Sequence, residues 1–241
     1  MNLNDFFSLG FIIKYINEHS TQISEQTVII LMAMGFVLSA VIAYLLGSLN
    51  FAIIISGKSY KQDIREFGSK NAGMTNMMRT YGKKAAALTL LGDALKAIVS
   101  GLIGYALLGQ LGAYVAGCAC VVGHIFPIFY KFKGGKGVVT AAISILMCNP
   151  FVFLIVFFLF VVIVASTKYI SLGSVMCVLI YPFILSGIDT WLSGGCPYVP
   201  FALLISVLII FKHKDNIKRL RAGTESKFSF KKSVKTEKEK K

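Results

Sequence analysis

The sequence predicts an all-α, polytopic membrane protein of about seven transmembrane or partly spanning helices. Three observations carry this. Hydrophobic residues make up 56% of the 241 residues and charged residues only 15%, with a mean hydropathy of +0.71; a soluble domain of this length rarely has such a composition. The hydrophobic residues gather in long runs, and about 20 apolar residues in a helix cross a bilayer core. Apart from Lys14 and Lys96, the basic residues lie in alternate connectors between those runs and in the C-terminal tail.

Seven runs follow in order: Thr27 to Ser56, Ala85 to Leu108 (interrupted by Asp93 and Lys96), Leu111 to Phe129, Val138 to Cys148, Phe151 to Ala165, Leu172 to Gly187 and Tyr198 to Phe211. The fourth is short and ends at Asn149-Pro150, where Pro breaks a helix. It and the fifth run can also be read as one kinked or re-entrant unit. Broken helices in a bundle line a cavity or a cleft, because irregular backbone is not tolerated against lipid. Residues 1–26 form an extracytoplasmic or interfacial segment. It lacks the basic start of a signal peptide, and Asp5, Glu18 and Glu25 interrupt it. Phe6, Phe7, Phe11, Ile12, Ile13 and Ile16 would form one side of a short surface helix. Residues 27–226 make a single membrane domain, and 227–241 a Lys/Glu/Ser-rich, disordered, basic cytoplasmic tail near anionic lipid.

The net charge of +14 would suggest nucleic acid on a soluble chain. Its placement says otherwise. Residues 58–84 carry seven Lys/Arg, 131–137 three, and the tail from Lys212 twelve, whereas the connectors at Gly109-Gln110, Asn149-Pro150 and 187–197 carry none. By the positive-inside rule the N-terminus lies outside and the C-terminus in the cytoplasm. The charge is a topology signal, with membrane lipid and not nucleic acid as the partner. The five cysteines (118, 120, 148, 177 and 196) include no C-x-x-C pair, and four sit in apolar runs; they read as buried thiols. The histidines, 19, 124 and 213, are scattered. No metal and no cofactor is expected.

Four polar clusters fall on the cytoplasmic side. The first, Gly68 to Gly82, is rich in Gly, Asn, Ser and Thr and carries Arg79. Glycines let backbone N–H groups approach a ligand, hydroxyls and amides add directed bonds, and Arg clamps an oxyanion with parallel donors. The second is Gly123-His124-Ile125-Phe126-Pro127 followed by Phe132-Lys133-Gly134-Gly135-Lys136-Gly137. This is not a nucleotide P-loop, since Gly137 stands where Ser or Thr is needed and Tyr130 where the first Gly would fall. It remains an anion cradle, with a helix starting at Val138. The third is Ser171-Leu172-Gly173-Ser174, whose hydroxyls cap a helix or bind substrate. The fourth is Lys212 to Leu220 with Gly223-Thr224-Glu225; His213 and Asn216, about one helical turn apart, would face the same cleft as the first loop. Asp93 and Lys96, three apart on one helix face, either pair with each other or hold the first loop. His124 is either a general base or a satisfied bundle residue. No His is followed by Asp at the fifth position, which excludes the glycerolipid acyltransferases that use that dyad, and no G-x-S-x-G elbow is present.

These motifs, in this order from about Gly47 to Glu225, resemble the bacterial acyl-phosphate:glycerol-3-phosphate acyltransferases, the PlsY family. The resemblance implies a bacterial inner- or plasma-membrane enzyme of phospholipid biosynthesis, with its active site on the cytoplasmic face. Such an enzyme moves a fatty acyl group from long-chain acyl phosphate to the 1-hydroxyl of sn-glycerol 3-phosphate, giving lysophosphatidic acid. It implies that Ser69 and Arg79 orient phosphate or the developing oxyanion, and that Lys136 with Gly134, Gly135 and Gly137 holds the acyl phosphate. Ser171 or Ser174, His213 and Asn216 then complete the glycerol-phosphate pocket, with Asn71, Thr75, Asn76 and His124 as further substrate-binding candidates. A substrate phosphate is the alternative to His124 as base. Lys70, Met74, Asn50 and Ala97 stand where the family usually has Gly, Ala, Pro and Gly; they bear on loop geometry. The rival reading is a small organophosphate or anion transporter, which would place its groups near the midplane and often in paired halves. A third is an acyltransferase using acyl-CoA or acyl carrier protein, for which the sequence offers no separate dock.

Overall fold

The computed structural model describes residues 3–193, 195 and 197–227. All regular structure there is helical: α1 Leu3–Glu18, α2 Glu25–Ser48, α3 Phe51–Tyr60, α4 Met74–Tyr81, α5 Lys83–Ile125, α6 Val138–Cys148, α7 Pro150–Thr167, α8 Ile170–Ser193, α9 Val199–Lys212 and α10 Lys214–Arg221, with 3-10 turns at Ile64–Glu66 and Ile128–Tyr130. Four stretches are long and apolar enough to cross a membrane: Glu25–Tyr60, Lys83–Tyr130, Pro150–Thr167 and Ile170–Trp191. Val138–Cys148 and Val199–Lys212 are shorter apolar helices.

The expected run from Thr27 to Ser56 is not one helix. It breaks at Leu49-Asn50, where Asn50 caps α3 by accepting from the Ile53 N–H (3.1 Å). No Pro or Gly stands at the break itself, so the hydropathy run passes through it. The helix α5, in contrast, holds two of the expected runs. Leu108 and Gly109 leave helical geometry, Gly109 with φ +57°. The two arms fold back on each other, and a Cβ on either Gly104 or Gly112 would collide with the backbone of the other. Small residues at the contact let two backbones meet where apolar burial adds little drive. At Asn149-Pro150 the chain breaks as expected. Asn149 accepts from the Val152 N–H (3.1 Å), and Pro150 sits at the first helical position, where its missing N–H costs nothing.

Buried clusters run along the bundle. One joins Tyr114, Ile145, Val152, Tyr181, Leu185 and Ala202; another joins Val121, Ile125, Ala141, Val178, Ile205 and Ile209. The large hydrophobics left outside, such as Ile29, Leu91, Leu154, Phe158, Phe183 and Val207, are the lipid-facing surface of such a bundle. The helix α1 is broken at Gly10 and lies against the middle of α2 and the break of α5: a Cβ on Gly10 would meet the Leu108-Gly109 backbone, and Ile12 reaches Gly35. Phe11 and Tyr15 stay exposed. The side chains of Phe6 and Phe7, Cys196, and all but Lys227 of the 227–241 tail lie outside the described residues. The other four cysteines are buried and unpaired.

Candidate active site

The first polar cluster is built around one amide. Asn76, buried on α4, donates to the Ile64 (3.2 Å) and Phe67 (2.9 Å) carbonyls and accepts from the Ser69 N–H (2.9 Å). Its polar atoms are spent on the loop, so it positions Ser69. Below it, Asp63 caps the Ile64–Glu66 turn and takes Nε and Nη2 of Arg65 at 3.0 and 2.6 Å. The hydrogen bonds from Arg65 hold the Asp63 carboxyl below the usual range. The other arm of Arg65 donates to the carbonyls of Tyr130 and Lys133, both at 3.1 Å. Arg65 therefore fastens the first cluster to the second.

Between α4, α6, α7, α8 and α10 lies a cavity of about 490 Å³. Ser69, Asn71, Thr75, Asn76, Arg79, His124, Lys136, Gly137, Ser171, Ser174, His213 and Asn216 all line it, as do Arg219 and Glu225. From this polar end it continues between apolar side chains that include Val138, Ala142, Phe153, Phe157, Phe160 and Val164. Three helices present N-termini without a side-chain cap to the polar end: α4 at Gly73, α6 at Gly137 and α10 at His213. Each leaves first-turn N–H donors and a positive dipole end there. Among the described residues Arg79 has no hydrogen-bonding or ion-pair partner. A cationic fork and several helix starts around an unfilled space make an anion site; the apolar extension suits an alkyl chain.

One carboxylate orders the far wall. Glu225 accepts from Ser171 Oγ (2.7 Å), Asn216 Nδ2 (2.7 Å) and Arg219 Nε (2.7 Å). Burial opposes its ionisation, but these hydrogen bonds outweigh burial and hold its carboxyl below the usual range. Asn216 Oδ1 in turn accepts from Lys136 Nζ. Burial, then the nearby Arg219 and Arg79 cations, lower the Lys136 ammonium to about 8, against the opposing pull of Glu225 and Asp215. Burial and the Lys136 charge likewise push His213 down to about 4. His213 is therefore neutral near pH 7; with its Nδ1 bonded to the Ile209 carbonyl (2.8 Å), the Nε2 lone pair is the one left for a ligand.

Asp93 and Lys96 do pair, at 2.8 Å, and they do not hold the first loop through Arg65 or Arg79. Lys96 Nζ also reaches the Gly47 (3.0 Å) and Leu49 (2.9 Å) carbonyls and His124 Nδ1 (2.8 Å). A neutral imidazole has one acceptor nitrogen. Here the Lys96 ammonium occupies it, so His124 has no lone pair to act as a base.

Two expected residues are not brought to the cavity. The Gly134 and Gly135 N–H groups donate to the Ile125 (3.2 Å) and His124 (3.1 Å) carbonyls and form a tight return behind it, leaving Gly137 and the α6 start to face it. Ser174 Oγ bonds back to the Ile170 carbonyl (2.9 Å), while Ser171 is tied to Glu225. Glu225 and Arg219 had no role assigned from sequence. The signal was a Glu in the Gly223-Thr224-Glu225 turn just after α10, which on a sequence looks like a solvated charge.

A glycerol-3-phosphate acyltransferase family model matches residues 37–223. The chain is similar to the glycerol-3-phosphate acyltransferase of Thermoanaerobacter pseudethanolicus, 44% identical over 199 residues that cover 83% of this chain and 98% of that protein. Its likeness to that of Finegoldia magna is 42% over 194 residues, covering 79% and 95%. Among solved structures it resembles PlsY (YgiH), an integral membrane glycerol 3-phosphate acyltransferase. The glycerol 3-phosphate form aligns with a TM-score of 0.72 and 34% identity over 80% of this chain and 96% of that one. The lysophosphatidic acid form aligns with a TM-score of 0.69 and 33% identity over 81% and 96%. With its polar helix starts, unpaired Arg79 and apolar groove joined in one cavity, this chain belongs to the glycerol-3-phosphate acyltransferase family.

Proposed function

We propose that this chain transfers a fatty acyl group from acyl phosphate to the 1-hydroxyl of sn-glycerol 3-phosphate, giving lysophosphatidic acid and inorganic phosphate. The observation that carries the reading is the single cavity whose cationic, uncapped-helix end passes directly into an apolar groove. Both substrates bear phosphate, and one bears an alkyl chain. The glycerol hydroxyl attacks the carbonyl carbon of the mixed anhydride, the bond from that carbon to the phosphate oxygen breaks, and the departing phosphate takes up the proton. No protein nucleophile is needed, and with His124 committed to Lys96 the substrate phosphate is the base. Arg79, Lys136 and Ser69 stabilise the charge on the phosphates and on the oxyanion; Asn71, Thr75, Ser171, Ser174, His213 and Asn216 orient the acceptor. Positioning and electrostatic stabilisation do the catalysis.

The chain crosses the membrane seven times, with the two arms of α5 as separate crossings, its N-terminus outside and its C-terminus in the cytoplasm. The alternation of basic and neutral connectors supports this. It puts the cavity's polar end at the cytoplasmic face of the bacterial membrane, within reach of soluble glycerol 3-phosphate, while long-chain acyl phosphate enters from the lipid. Purified protein given glycerol 3-phosphate with either acyl phosphate or acyl-CoA tests the donor. Product from acyl phosphate is expected; product from acyl-CoA alone contradicts the assignment, and binding or uptake of glycerol 3-phosphate without product contradicts the enzyme.

A further inference from the structure

The buried cluster of Asp93, Lys96 and His124 has no step assigned to it in the reaction above, yet Asp93 and His124 line the cavity. Lys96 is 4% exposed, Asp93 2% and His124 4%. An ammonium has three N–H groups, and here they meet the Gly47 carbonyl, the Leu49 carbonyl and His124 Nδ1. Asp93 Oδ1 supplies the countercharge to Lys96 at 2.8 Å and lies 3.5 Å from His124 Nδ1. The two carbonyls come from the end of α2 just before Asn50, whose amide donates to the Ala72 carbonyl (3.3 Å) of the first loop. On the other side the His124 ring is packed under Gly135. A Cβ there would overlap both His124 Nε2 and the Ala72 carbonyl. The next residue is Lys136.

We propose that Lys96 is a positioning residue for the acyl transfer: by holding the His124 ring and the end of α2 together, it sets where Lys136 stands against Ala72 and Gly73 of the first loop. The inference rests on the reading of Lys136 as a phosphate ligand. A buried ion pair alone does not require this arrangement, because replacing such a pair by apolar residues of similar volume is often neutral or stabilising. What apolar residues cannot supply is a donor to His124 Nδ1, and with it the ring's fixed orientation. A displacement of about 1 Å at a reacting group costs on the order of 100-fold in rate.

The test is the full-length Asp93→Leu/Lys96→Met double variant, purified beside wild type and Lys136→Ala. It retains its thermal transition, and its kcat for acyl phosphate and glycerol 3-phosphate falls 10- to 100-fold while neither KM changes more than about threefold. The alkaline limb of kcat/KM, set by Lys136 among Arg79, His213, Asp215, Arg219 and Glu225, also moves upward as that ammonium loses its enclosed position. Wild-type kcat with an unmoved limb would overturn the proposal. If the double variant does not accumulate, Asp93→Val/Lys96→Leu, which likewise leaves His124 Nδ1 without a donor, is measured with the same two outcomes. Full activity of Lys136→Ala would mean that the assignment of the site has failed; an inactive Lys136→Ala beside a normal double variant sinks the positioning role alone.

Discussion

Arg79 and Lys136 are the two cations that the cavity presents most directly, and they differ in how they are held. Arg79 is unpaired among the described residues, whereas Lys136 is enclosed and bonded to Asn216. Removing a donor aimed at developing charge costs about 100- to 1,000-fold in kcat, so Arg79→Ala and Lys136→Ala each lose at least that much in a steady-state assay while still inserting in the membrane. Lys136 also sets a pH dependence. Its ammonium is lowered to about 8, so it is charged below that pH and neutral above it. A phosphate ligand needs the charged form, so kcat/KM holds below pH 8 and falls tenfold per unit above it; a flat profile to pH 10 contradicts the role. Lys70 stands with φ +58°, a left-handed conformation costing roughly 1 kcal/mol or more for a residue with a Cβ. It is exposed and does not line the cavity. Lys70→Gly therefore raises stability by about 1 kcal/mol in thermal unfolding, with unchanged turnover. That Arg79 and Lys136 line one cavity was legible from their place in Gly-rich polar loops, whereas Arg219 was not singled out. Asn76 and His124 were legible as polar residues near the site but not in role, because an amide or imidazole that holds a loop reads the same as one that holds a ligand.

At the scale of elements, every apolar run in the sequence is helical, and the differences lie at breaks. Hydropathy passes straight through Leu49-Asn50, where a buried lysine from another helix takes the released carbonyls. The local mark is Asn50, which caps α3, and it is a single polar residue inside a long apolar run. The Leu108-Gly109 break was legible from its loss of apolar character, and Asn149-Pro150 from its Pro. The hairpin of α5 brings His124 against Lys96, 28 positions away in sequence. It depends on backbone contact between Gly104 and Gly112. Gly104→Leu and Gly112→Leu must push the arms apart; forcing extra volume into a packed contact costs about 1–3 kcal/mol or more. Both variants should lose thermal stability in detergent by that amount and lose activity with it, and a wild-type transition in either would contradict the hairpin.

For the molecule as a whole, the exposed apolar belt and the alternation of charge support the proposed orientation, in which one substrate comes from water and the other from lipid. The orientation is open to direct labelling. With the five native cysteines replaced, Pro197→Cys should react with an impermeant thiol reagent from outside, and Lys61→Cys only after permeabilisation; the reverse pattern would turn the site away from the cytoplasm. The central claim is that acyl phosphate and glycerol 3-phosphate react with each other in this one cavity. Simultaneous measurement of lysophosphatidic acid and inorganic phosphate from the purified protein tests it most directly. One phosphate is expected for each lysophosphatidic acid formed, with both products lost together in Arg79→Ala and Lys136→Ala. Phosphate release without the lipid product, or undiminished formation of both in the two variants, would contradict it.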